Sequence, residues 1–279
     1  MKKIKGSGIV WILLAVVLLI ASVSACAGGN RGAADTPGGH TPDNRQGTAD
    51  AQQGPEGKQD TGKENMSAEI TRTALLSWKD SIDNIWAHGA IEITNTGNVP
   101  VKVGDISISF VGSDDSILGT ASMILPVPEI IKPGETAYAG DSTIIEGIDD
   151  PAEIVNMEAN IDFDRTGSEP QILEVKDLKI IPADIGGAKV TGRVENTSRD
   201  NADDIRIIVA AFDENDKLLG VYTDSPDVTL APGKNMGFET SYPVIKAEGF
   251  ADKVKKLAGK AYNCARLPEA PTGYLAHGG

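Results

Sequence analysis

Cysteine is nearly absent. Two occur in 279 residues, Cys26 and Cys264, so no disulfide framework staples the chain and no Cys-x-x-Cys motif offers zinc or redox chemistry. Three histidines, His40, His88 and His277, are too scattered for a His-Glu-x-x-His site. Aromatics make up 5% of the residues and do not interleave with cations as a base-stacking platform requires. Positive charge is also short, with 26 Lys+Arg against 40 Asp+Glu and a net charge of -14. Such a chain repels nucleic-acid phosphate, and no nucleic-acid partner is expected. Gly-x-Gly-x-x-Gly, P-loop and Gly-x-Ser-x-Gly motifs are missing.

The one sustained apolar run, Ile9 to Ile20, is too short for a comfortable bilayer span. It follows the cationic Met1-Lys2-Lys3-Ile4-Lys5 and precedes Val23-Ser24-Ala25-Cys26. That order reads as a signal peptide over 1–25. The tetrapeptide resembles a bacterial lipobox, which implies acylation of the Cys26 thiol and cleavage before it. Two acyl chains anchor stably, at about 0.8 kcal/mol per buried CH₂. The expected address is the extracytoplasmic face of the cell membrane, with membrane lipid as a partner through acylated Cys26. Residues 26–66 then form a lipidated N-terminus and disordered linker. Ala27 to Met66 contains no Val, Ile, Leu, Phe, Trp or Tyr, so nothing offsets its ordering entropy. As a Gly-rich coil it spans about 35 Å.

Beyond the linker, short runs of strand formers alternate with Gly, Pro, Asn and Asp, the pattern of an all-β chain. Ile106, Ile108 and Phe110 alternate with Asp105, Ser107 and Ser109, a period-two pattern. The chain also repeats itself. Ile93-Thr94-Asn95-Thr96 falls on Val194-Glu195-Asn196-Thr197, and Ile117-Leu118-Gly119 falls on Leu218-Leu219-Gly220. After a two-residue slip, Lys132-Pro133-Gly134 falls on Ala231-Pro232-Gly233, as loop indels between duplicated units produce. The expected architecture is two tandem immunoglobulin-like β-sandwich domains, 67–165 and 170–266, after the disordered tether, with an irregular tail at 267–279. Strands are expected at 89–95, 101–111, 116–126, 135–145 and 154–163, and again at 187–195, 205–213, 217–223, 235–243 and 254–263. A turn of helix at most is expected near Pro151–Ile154 and Ala251–Val254. The short segment 164–170 suggests two sandwiches placed end to end.

Val194-Glu195-Asn196-Thr197-Ser198, Ile208 to Asp213, Asp216-Lys217-Leu218-Leu219-Gly220 and Leu230-Ala231-Pro232-Gly233 together resemble the FxLyD domain family. The first unit carries a looser copy, with Val111-Gly112 where the second has Phe212-Asp213. The resemblance implies extracytoplasmic β-sandwich modules, often found in lipoproteins, and supplies no catalytic residues.

Candidate chemistry is sparse. His88 reads as a surface residue at a strand entry, and a Ser–His88 pair is a remote nucleophile–base option. Asp114-Asp115, Asp149-Asp150 and Asp203-Asp204 are adjacent carboxylates that splay outward in loops rather than face each other across a cleft. Asp213, Asn215 and Asp216 offer oxygen ligands for calcium, but the twelve-residue calcium loop is missing and a self-capped hairpin explains them. Cys264 reads as a small buried hydrophobe at the end of the closing strand. No cofactor, metal or catalytic residue is assigned; Cys26 is the single site, for lipidation. The expected function is non-enzymatic interaction with a protein or envelope polymer through edge strands or the inter-domain surface. The alternatives are a ligand or metal receptor of a transport system and, last, an envelope hydrolase. A receptor needs a pocket of at least about 300 Å³ between the domains, which short sandwiches rarely provide.

Overall fold

The computed structural model describes residues 63–121, 124–183 and 187–264. Cys26, the signal segment and the tail after 266 lie outside the described residues. The fold is all-β, built from antiparallel sheets in sandwich-type layers. The first half contains β1 (Ala68–Lys79), β2 (Ile85–Asn95), β3 (Val101–Val111), β4 (Ile117–Ala121), β5 (Ile130–Ile131), β6 (Thr136–Ile145) and β7 (Asn156–Arg165). Sheet β1-β2-β6 faces sheet β4-β3-β7, with β5 beside the start of β3. Ile91, Ile93, Val101, Ile108, Phe110 and Ile131 fill the space between them.

The second half repeats this plan with β8 (Gln171–Pro182), β9 (Ala188–Glu195), β10 (Ile205–Phe212), β11 (Leu218–Asp224), β12 (Asn235–Thr240) and β13 (Lys256–Asn263). Its strands run β11-β10-β13-β8-β9-β12, and β8 bends from one layer into the other. Residues Gln171–Leu173 pair with β13, and Glu174 onward pair with β9. Register is conserved between the copies. Ile106 lies opposite Ile161 as Ile207 lies opposite Ala261. A bulge interrupts β3–β4 between Phe110 and Val111 and β10–β11 between Ala211 and Phe212. Asp115 and Asp216, at φ 62° and 58°, hold the matching turns, and Gly134 and Gly233 hold the next pair at 75° and 70°. A 3-10 turn at Pro151–Glu153, capped by Asp150, is matched by the one-turn helix α1 (Phe250–Lys253).

The two halves are not end to end. They lie in one compact unit, and the outer face of β1-β2-β6 rests on the outer face of β11-β10-β13. A third apolar cluster fills this seam, with Ala74, Ala90 and Tyr138 from one side and Ile208, Ala210, Phe212 and Val221 from the other. Approach is close. A Cβ added at Gly140 of β6 would lie 2.7 Å from a Val221 methyl of β11. The short segment before β8 limits how far apart the halves start, but apolar area on two sheet faces decides how they dock.

The ten expected strands are present, with β4 and β12 shorter than expected and β2 starting at Ile85, while β1, β5 and β8 lie outside the expected ranges. Lys63 to Met66, assigned to the linker from composition, already touch the body. Asn65 and Asn98 exchange hydrogen bonds, and Arg165 pairs with Glu64 at 2.6 Å.

Candidate functional site

Most titratable groups that fold inward, His88, Glu92, Tyr138 and Tyr262 among them, lie along the seam. β2 sends one face into the first core, and its other face, His88, Ala90 and Glu92, points at the second half and is buried as well. His88 is 0% exposed, which corrects the expectation of a surface position. Among the described residues β11 ends its sheet, so the Val221 N–H has no neighbouring strand there to donate to. It donates instead to His88 Nε2 at 3.2 Å. Nε2 therefore accepts, Nδ1 carries the proton, and that N–H faces Ser142 Oγ at 2.9 Å. The Ser142 hydroxyl in turn donates to the Val244 carbonyl at 2.8 Å. Burial alone pushes the His88 pKa down to about 3, so the ring is neutral. Serine and histidine are thus adjacent, yet the imidazole lone pair is spent on Val221 and cannot take the Ser142 proton.

At the other end of the same face, Glu92 is 4% exposed and accepts from both Arg72 and Thr71. The Arg72 guanidinium and the Lys256 ammonium each lie over the Phe212 ring, 5.7 and 5.5 Å from its centroid. Lys260 lies over Tyr138 at 5.6 Å. Burial lowers the Lys260 pKa; burial and then the Glu92 charge raise that of Tyr138 to about 12.

Two crevices open along the seam. One, of about 180 Å³, is bordered by Ile124, Leu125, Asp141, Arg206, Asp224 and Tyr242. Burial raises both its carboxylates, and Tyr242 Oη donates to Asp141 at 3.1 Å. The other, of about 350 Å³, lies between Pro128, Gly134 and Glu135 of the first half and Ile172, Leu173 and Lys260 of the second. A ligand-sized space between the halves was not expected from two short sandwiches. It lies where residues of both halves meet along the docked faces.

The sequence candidates fall elsewhere. Asp213 Oδ1 accepts the Asn215 and Lys217 N–H groups at 2.8 and 2.9 Å, and Asp216 pairs with Lys256 at 2.7 Å. The hairpin caps itself through Asp213, and Asp216 is engaged by Lys256. Asp150 caps Ala152, and Asp114 accepts from Ser116, whose hydroxyl lowers its pKa. Asp203 and Asp204 donate their backbone N–H groups to Asn263. Among the described residues no three His, Cys, Asp or Glu side chains converge as a metal site. Cys264 follows β13, half-buried against the seam cluster. Trp78 and Trp86 stack on the seam-facing side of β1–β2, with centroids 6.1 Å apart, and border neither crevice.

The seam had one legible signal. β10 reads Ile207-Ile208-Val209-Ala210-Ala211-Phe212 without alternation, the pattern of a strand covered on both faces. Its counterpart in β3 alternates with Ser107 and Ser109.

No protein-family model matches the chain, and no match is found among curated proteins.

Proposed function

We propose that this protein is a lipid-anchored, extracytoplasmic, non-enzymatic interaction module: two tandem immunoglobulin-like sandwiches of FxLyD type carried on a disordered tether. A largely β-stranded body without a converging metal-ligand set among the described residues is consistent with a non-catalytic module in general terms. One observation carries the finer reading. Lys63 to Met66 lie beside Asn95–Asn98, where β1 starts opposite Asn95. The β1–β2 hairpin closes at the far end of that ladder, about 35 Å away. There Ile82 is 75% exposed at the tip, and Ile144, 43% exposed, lies beside Trp86. Asp80 stiffens the tip by accepting from the Ile82 and Asn84 N–H groups and from the Trp86 indole. A hairpin end stiffened by Asp80 and carrying exposed Ile82 and Ile144 presents a contact surface to a protein or envelope polymer.

Pull-down from intact cells with the lipidated protein tests this. Ile82→Asp with Ile144→Asp is expected to lose the captured partner while the fold is retained. Capture that is unchanged by both charges would remove the hairpin end as the contact. Cys26→Ala is expected to abolish the acyl adduct in mass spectra and the membrane fraction; a wild-type chain without acyl mass would sink the anchor.

A second reading has its own observation. The 350 Å³ crevice, with Lys260 and Glu135 at its border, has the size of a small-ligand site and favours the receptor alternative.

A further inference from the structure

We propose that the His88–Ser142 pair is an acid-labile latch that holds the two halves together and releases them when the imidazole takes a second proton. Five elements or segments meet at the ring. β2 carries it, β1 offers Leu76 opposite, β6 supplies Ser142, β11 supplies Gly220 and the Val221 N–H, and the segment after β12 supplies the Val244 carbonyl through Ser142. Three of the contacts cross the seam. Both ring nitrogens are committed with opposite roles, so protonation turns an acceptor into a donor aimed at another donor, the Val221 N–H.

No neighbour compensates. Among the described residues, the charged or titratable groups on the surrounding elements are Asp141, one residue from Ser142 and engaged by Tyr242; Tyr242 itself; and Glu92 on the same strand, held by Arg72. None of them contributes to the shift of His88, which burial alone causes. β1 places Leu76 opposite the ring, and β11 brings Gly220 and Val221 to it.

The sign follows from linkage. The docked ring has a pKa near 3 and the released ring the ordinary 6.5. The released state therefore binds more protons between those values. Docking is at full strength above pH 6.5 and weakens about tenfold per pH unit below it, down to the docked pKa. At pH 4.5 the loss is about 100-fold. Each half keeps its own core, so release uncovers the seam faces rather than unfolding the chain.

Hydrogen exchange on the full chain reads this directly. The Val221 amide reports the seam, and the amides of Ile91 and Val209 report the two cores. Corrected for intrinsic rates, protection of Val221 relative to the cores is expected to fall about 100-fold between pH 7 and 4.5. In His88→Gln, a neutral side chain of similar reach, that fall is expected to vanish. An equal fall in both proteins would assign the effect to the carboxylates and overturn the latch. If H88Q fails to dock at pH 7, ring NMR of the wild type decides. A His88 that remains the Nδ1–H tautomer until Val221 loses protection supports the latch. A His88 that titrates near 6.5 with Val221 still protected refutes it.

Discussion

Asn95 and Asn196 hold the same place in the two halves, each fully buried and each closing the same loop. Asn95 Nδ2 donates to the carbonyls of Val99 and Ile131, both at 2.8 Å, and Asn196 Nδ2 to those of Asp200 and Leu230 at 2.8 and 2.7 Å. Their Oδ1 atoms accept the N–H of Gly97 and Ser198, and their carbonyls that of Gly134 and Gly233. One side chain thereby satisfies three backbone groups where the chain leaves β2 or β9. The repeated Asn-Thr of the sequence is this buried bracket.

Asn95→Ala and Asn196→Ala are each expected to lose about 1–3 kcal/mol, because buried carbonyls are left without donors. Urea denaturation measures the loss. Shifts no larger than that of the exposed Asn160→Ala would show that water replaces the bracket.

Glu92 depends on Arg72. Arg72→Met is expected to cost about 1–3 kcal/mol, less than a fully buried pair loses. The reason is that the Arg72 side chain is 44% exposed while that of Glu92 is 5% exposed. Adding Glu92→Gln is expected to recover most of the loss, since the stranded charge is then gone. Strictly additive losses in the double-mutant cycle would remove the coupling.

Asp216 sits at φ 58° in a hairpin whose Asp213 and Asp216 carboxylates are both engaged. Asp216→Gly is expected to be near neutral, and Asp216→Val to cost about 1–2 kcal/mol for a β-branched residue in the left-handed region. Millimolar calcium is expected to leave the Tm unchanged. A rise of several degrees that Asp216→Ala abolishes would turn the loop into a calcium site.

Tyr222 is fully buried and edge-on to Phe250, and its hydroxyl has no hydrogen-bond partner among the described residues. Tyr222→Phe is expected to keep the packing and gain up to about 1 kcal/mol by removing a desolvated hydroxyl. A loss of more than 1 kcal/mol in thermal denaturation would mean that the hydroxyl is satisfied in solution.

The sequence by itself determined what is local. Alternation over Ile106–Phe110 places a strand face, and the Asn, Asp and Gly turns at matching offsets set hairpin geometry, because period-two patterning and left-handed turns act over a few residues. The repeat then carried strand order and register from one half to the other. What only tertiary structure decided is which sheet faces meet. The outer face of β2 mixes His88 and Glu92 with Ala90 and reads as half-solvated. It is buried because β11, more than a hundred residues away, brings an unpaired N–H to His88, while Arg72 neutralises Glu92. Polar groups on a sheet face do not announce burial; the partners that satisfy them do, Val221 from the other copy for His88 and Arg72 from the neighbouring strand for Glu92.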